Sequence, residues 1–234
     1  MINLRSAFFT FTVVSFGVIS VPTVANAFTL VDRTGFTDTE FENLRTTGQF
    51  SELFVAESRI GNASLDPTER EFGINDTIGV PVAEGQFAWG NNQSVNFKLE
   101  YTGSLVNYTV GSRTIASSTF SGPVTDIFLR TKSVVDSTMV LSNLVFEGLG
   151  ISNLSSSGDD VDYLQISNIT TPFTLTGSSL MSWTGAPPVR SNLAYQIKVG
   201  TTAPMESVPE PATLGGLLAA GVLSVGLKKK QKVA

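Results

Sequence analysis

The chain has 234 residues, with 15 Lys and Arg against 20 Asp and Glu, a formal net charge of −5 and a mean hydropathy of +0.17. It contains neither Cys nor His. That excludes disulfide staples, thiol chemistry and a Ser-His-Asp mechanism, and it removes the commonest ligands of zinc. Between Phe28 and Ala203, 18 acidic side chains face 10 basic ones, a balance that argues against nucleic acid as a partner.

Residues 1–27 open with a charge at Arg5, continue through an apolar stretch over 7–21, and end on Ala25-Asn26-Ala27 after the helix breaker Pro22. This is the layout of a secretory signal peptide, with Ala25 and Ala27 as the small residues of its cleavage site. It predicts handling by the Sec translocon and signal peptidase, and a mature chain starting at Phe28. The alternative is an N-terminal membrane anchor.

From Phe28 onward Thr, Ser, Gly, Asn, Val and Phe dominate and helix formers are sparse. One short helix is predicted over residues 38–46, with Asp38 as cap, Glu40 and Glu42 in the first turn and Gly48 as its end. Residues 50–60 read as a strand, although Leu53, Phe54, Val55 and Ala56 run together without alternation. Residues 94–101 alternate polar and apolar without a slip, the pattern of a half-buried strand. Thr102-Gly103-Ser104 then turns the chain into a hairpin partner over 105–110. Further strands are predicted over 124–132, 138–146, 163–166, 173–176, 180–183 and 193–199. About eight to ten strands with turns at this spacing predict an all-β fold, an antiparallel two-sheet sandwich that is jelly-roll-like. Residues 28–200 form its single domain and residues 201–207 a spacer.

Three places in that domain carry candidate chemistry. Asp159, Asp160 and Asp162 follow Ser155-Ser156-Ser157-Gly158, and three carboxylates beside a turn are the donor type that calcium takes. Their spacing fits no complete EF-hand loop, and a solvated acidic turn is the plainer reading. Trp89 and Trp183 sit among polar turn residues, where a ring face can stack on a sugar; burial in the sandwich core is the ordinary alternative. Together these sites would make a calcium-dependent, lectin-like carbohydrate-binding module. Glycoside hydrolysis needs a pair of carboxylates. Glu57, Glu71, Glu84, Glu100 and Glu147 are available, but the sequence pairs none of them. No catalytic residue and no obligatory cofactor are predicted, and the chain reads as non-enzymatic.

The last 27 residues are the most informative. Val208-Pro209-Glu210-Pro211 precedes an uncharged run over 212–227, and Lys228, Lys229, Lys230 and Lys232 follow it. As a single membrane helix the run would rise about 24 Å, short of a hydrocarbon core of roughly 30 Å, though lysine stems can extend its reach. The lysines would stay on the cytoplasmic side and leave Pro209-Glu210-Pro211 on the other. The two prolines hold that motif extended, as a protease needs its substrate. A plain C-terminal anchor is the alternative.

The ordered set of Val208, Pro209, Glu210, Pro211, an apolar span and a basic tail resembles the PEP-CTERM sorting signal of Gram-negative and cyanobacterial envelope proteins. Lysine dominates the tail where that family often has arginine. The resemblance implies a membrane-embedded partner, exosortase, that recognises the signal and cleaves at or near the Pro-Glu-Pro motif, so that membrane attachment is transient. It further implies delivery to the cell envelope, cell surface or extracellular matrix, with extracellular polysaccharide as a further partner. The pairing of a β-rich body with such a signal, together with residues 89–95 and Trp183-Thr184-Gly185, also resembles cyanobacterial choice-of-anchor proteins. That likeness implies a surface module and no catalytic residues.

Overall fold

The computed structural model describes residues 28–61, 70–170 and 172–203. The expected signal peptide with Ala25 and Ala27, and the expected sorting signal from Val208 to the basic tail, lie outside the described residues. Among the described residues no helix is long and apolar enough to cross a membrane.

In chain order the elements are β1 (Thr29–Asp32), α1 (Asp38–Thr46), β2 (Phe50–Arg59), β3 (Phe72–Asn75), β4 (Pro81–Gly85), β5 (Gln93–Tyr101), β6 (Val106–Val110) and β7 (Arg113–Ser117). They continue with β8 (Asp126–Lys132), β9 (Ser137–Phe146), β10 (Leu149–Gly150), β11 (Leu154–Ser157), β12 (Val161–Ser167), β13 (Phe173–Trp183) and β14 (Ala194–Thr202). The strands form two antiparallel sheets, an all-β sandwich. The front sheet runs β1-β12-β8-β14-β2-β3-β4, and the back sheet runs β10-β9-β13-β5-β6-β7 with β11 also paired to β9.

The sandwich core fills the space between the sheets. Phe54 and Ala56 from β2 and Ile197 and Val199 from β14 meet Phe97 and Leu99 of β5 and Leu175 of β13. A polar bridge crosses this core: the Tyr108 hydroxyl of β6 donates to Tyr195 of β14 at 2.9 Å and lies 2.7 Å from Ser58 Oγ of β2. Such a bridge is tolerated in an apolar interior because its members satisfy one another.

Several expectations are corrected. The described residues hold fourteen strands rather than eight to ten, because short edge strands such as β1, β10 and β11 carry too little pattern to be read. The segments 173–176 and 180–183 are one strand, β13. Gly177 between them is not a turn: a Cβ there would lie 2.6 Å from Leu144 and 2.9 Å from Phe97, so the glycine gives those side chains room. β14 continues through Thr202, which puts Thr201 and Thr202 in the sheet rather than in a spacer.

The helix spans the predicted residues, but its cap is Thr37, not Asp38. The Thr37 side chain accepts from the Glu40 amide, and the Glu40 carboxylate accepts from the Thr37 amide at 2.8 Å, a complete capping box. Asp38 is thereby left free to tie the helix to the sheet.

The unbroken apolar run in β2 has a geometric cause. The pairing of β14 with β2 shifts register between Val199 and Gly200, so Leu53 has no partner across the ladder. A bulge of this kind lets two neighbouring residues face the same side. Leu53 and Phe54 therefore both pack on the inter-sheet core, while Phe50 packs beneath α1 on the outer face.

Candidate functional site

The front sheet buries its outer face as well. α1 lies across one end of it and closes a second apolar cluster of Phe41, Phe50, Phe128 and Tyr163, edged by Phe36 and Leu44. Ring centroids of 5.3 Å between Phe41 and Phe128 and 5.0 Å between Phe50 and Phe128 give the edge-on contacts aromatic rings prefer. Arg130 of β8 fastens the helix: its Nε and Nη2 donate to the two Asp38 oxygens at 2.6 and 2.5 Å, and the Tyr163 hydroxyl donates to Asp38 at 2.7 Å. Burial alone would raise the Asp38 carboxyl, but the donors from Arg130 and Tyr163 and the guanidinium charge outweigh it and hold the pKa below its ordinary value. Burial opposes the charge on Arg130 too, and its bonds to Asp38 more than restore it.

Beside the helix the same face is charged and hollow. Two adjoining clefts, about 360 and 430 Å³, share Arg45, Glu57, Gln196 and Lys198 in their walls. The first is closed by Asp38, Arg130 and Lys132, the second by Glu52, Arg59, Arg70 and Asn75. Strand register sets the shared wall, since Gln196 and Lys198 of β14 lie opposite Glu57 and Val55 of β2, and Val55 lies opposite Asn75 of β3. Gly73 stands across from Glu57 and adds no side chain to the floor.

Glu57 organises the middle of the groove. Its carboxylate accepts from Arg70 at 3.1 Å and from Gln196 at 3.3 Å, with Arg59 Nε at 3.9 Å. Lys198 sits 4.6 Å from the Phe41 ring centre and 3.8 Å from Glu52, an ion-pair distance without a hydrogen bond. Burial lowers the Lys198 pKa and raises that of Glu52, and each partner's charge only partly reverses the effect. From the far rim Arg45 reaches the Thr77 carbonyl at 2.9 Å and joins α1 to the β3–β4 turn.

The sites read from the sequence lie elsewhere. Trp89 is 1 % exposed in the core, with its ring tilted against Phe87 at 4.7 Å, so it has no free face for a sugar. Trp183 is half-buried at the end of β13, in the wall of a cleft of about 510 Å³. Its backbone is held by the Asn91 side chain, which accepts from its amide and donates to its carbonyl at 2.9 Å each. The structure does not bring the two tryptophans together as one platform.

Nor do the three aspartates converge. Asp160 accepts from the Val161 amide at 2.8 Å and Asp162 from the Tyr163 amide at 2.9 Å, local bonds that turn each carboxylate back on its own backbone. Burial nevertheless raises the Asp162 pKa, with Asp160 and Asp32 as lesser contributors. Among the described residues no group of three or more acidic side chains forms a metal cage. Of the glutamates considered for hydrolysis, Glu57 is engaged by Arg70 and Gln196, Glu71 receives the Gly61 amide, and Glu100 pairs with Lys98 at 2.9 Å on the back sheet.

Of the groove residues the sequence singled out Glu57 only as an unpaired carboxylate and Asp38 and Glu42 only as helix residues, because the set is single charges scattered from Asp38 to Lys198. The one available signal was charge inside strands: Glu57 ends the apolar run of β2, and Lys198 follows Gln196 on the polar face of β14. Comparison with protein-family models and with curated proteins finds no match to this chain.

Proposed function

We propose that the chain is an exported, non-enzymatic envelope protein of the PEP-CTERM kind, delivered through its signal peptide and processed by exosortase at or near Pro209-Glu210-Pro211. The observation that carries this reading is the fixed order of three parts in one short segment: Val208 with the Pro-Glu-Pro motif, the uncharged run over 212–227, and the lysines at 228–230 and 232. Export at the other end, through cleavage after Ala27, agrees with it.

Its cargo is a β module of the jelly-roll kind. The support is topological. The order β2-β14-β8-β12 in the front sheet and β5-β13-β9-β11 in the back is that of two interlocked Greek keys, with the first long strand beside the last. In sequence, residues 203–207 stand between the end of β14 at Thr202 and Val208. Processing would free the module for the cell surface or the extracellular polysaccharide.

Expression of Glu210→Ala, or of the chain lacking residues 228–234, should leave unprocessed precursor in the inner membrane. Mature protein of normal size from either variant would overturn the proposal.

A further inference from the structure

Eight buried side-chain polar atoms among the described residues have no hydrogen-bond partner, and four of them wall one cleft: Glu52 Oε2, Arg59 Nε, Arg70 Nε and Asn75 Oδ1. Glu52 is 5 % exposed in its side chain and Asn75 is 3 % exposed overall. Glu52 Oε2 and Arg59 Nε have only a distant opposite charge, Lys198 at 3.8 Å and Glu57 at 3.9 Å. A folded chain seldom leaves such atoms without a hydrogen bond, since each costs free energy unless something else completes it. Their clustering on one wall points to an external partner rather than to scattered imperfections of packing.

The chemistry of that partner follows from the set. Two of the atoms donate and two accept. Phosphate or sulfate would match the arginines and leave Glu52 and Asn75 facing another acceptor, while a bare cation would do the reverse. A hydroxyl both donates and accepts, so adjacent hydroxyls match the whole set. Charge supplies the rest. Of the ten Lys and Arg between Phe28 and Ala203, four line this cleft and three more, Arg130, Lys132 and Arg190, line the adjoining one. Only five of the 18 acidic residues join them. In a body of net charge −8 the groove is therefore a local concentration of cations, a complement for a carboxylate.

We propose that the groove between α1 and the β3–β4 turn binds an acidic saccharide residue, with Arg59 and Arg70 taking its carboxylate and ring oxygens and Glu52 and Asn75 taking its hydroxyl protons. Glu57 holds Arg70 in place, and Ile78, 82 % exposed in the turn that lines the cleft, offers an apolar edge to sugar C–H groups. The site uses neither Trp89 nor the aspartates at 159–162. It rests on the groove and not on the sorting signal: a protein that kept its C-terminal segment and still bound the sugar would retain this inference and lose the preceding one.

The test is calorimetric titration of the protein purified from the cells that export it. The probes are glucuronate, galacturonate, mannuronate and guluronate, with glucose and inorganic sulfate as contrasts. At least one uronate should bind saturably, and glucose and sulfate at least about tenfold more weakly. Arg70→Lys and Asn75→Ala, chosen to keep charge or size near that of the original, should each weaken the best uronate about tenfold with the thermal unfolding midpoint unchanged. Arg113→Gln on the back sheet should bind as the unaltered protein does. Failure of all four uronates to saturate would overturn the proposal. So would sulfate binding as tightly as the best uronate, or full affinity in both Arg70→Lys and Asn75→Ala.

Discussion

The two sheets of this sandwich treat their outer faces differently. Outward residues of the back sheet are solvated: Lys98 pairs with Glu100 in the open, and the Thr109 and Thr114 hydroxyls meet at 2.8 Å on an exposed hairpin. Outward residues in the middle of the front sheet are covered, first under an aromatic cluster capped by α1 and then along a charged groove. β8 is buried at six consecutive positions, whereas β6 alternates regularly. The back sheet closes the core. The front sheet has a second layer, and only a second layer can hold ionised groups in fixed geometry away from bulk water.

If that contrast is right, substitutions on the two outer faces should differ in cost. Phe128→Ala, under the helix at 0 % exposure, should lose about 3–5 kcal/mol in urea unfolding, as a core aromatic does. A cost under 1 kcal/mol would make the aromatic cluster a loose cover.

Arg130→Met should cost about 2 kcal/mol, because it strips Asp38 of two charged donors and leaves it only the Tyr163 hydroxyl. The same contact has a pH signature. The folded Asp38 pKa lies below its ordinary 3.8, so its contribution is present above that value and disappears as the pH falls through the depressed folded one. Asp38→Asn should therefore be less stable than the unaltered protein at pH 7 and lose less on acidification below pH 4. Parallel acid limbs for the two proteins would refute the assignment.

Smaller effects sharpen the same comparison. Thr37→Ala removes the capping box and should cost about 1 kcal/mol, read as a lower unfolding midpoint. Lys98→Ala on the back sheet should stay within about 0.5 kcal/mol, since an exposed ion pair is worth little.

The contrast also explains what the sequence could tell. β5, with one wet face, reads as a strand directly, because Val95, Phe97, Leu99 and Tyr101 fall on alternate positions. β2 does not: burial on both faces and the extra residue Leu53 erase the alternation, and only its length and composition suggest a strand. β3 and β4 are four and five residues long, too short for either period to register. The helix was legible because its acidic first turn and its glycine stop are local, although the capping box begins at Thr37, one residue before the expected cap. The groove was not, because Arg59, Arg70, Asn75 and Lys198 meet only once β2, β3 and β14 are in register. Trp89 and the aspartates at 159–162 stand out as local patterns, yet Trp89 is packing, and Asp160 and Asp162 accept from the backbone amides that follow them.

Delivery of this module by a severed C-terminal signal is the claim on which its biology depends. Mass spectrometry of the protein recovered from the cell surface and medium reads both termini at once. The account predicts a chain beginning at Phe28 and ending at or near Pro209-Glu210-Pro211. Peptides spanning residues 217–232, recovered intact from that mature material, would contradict it.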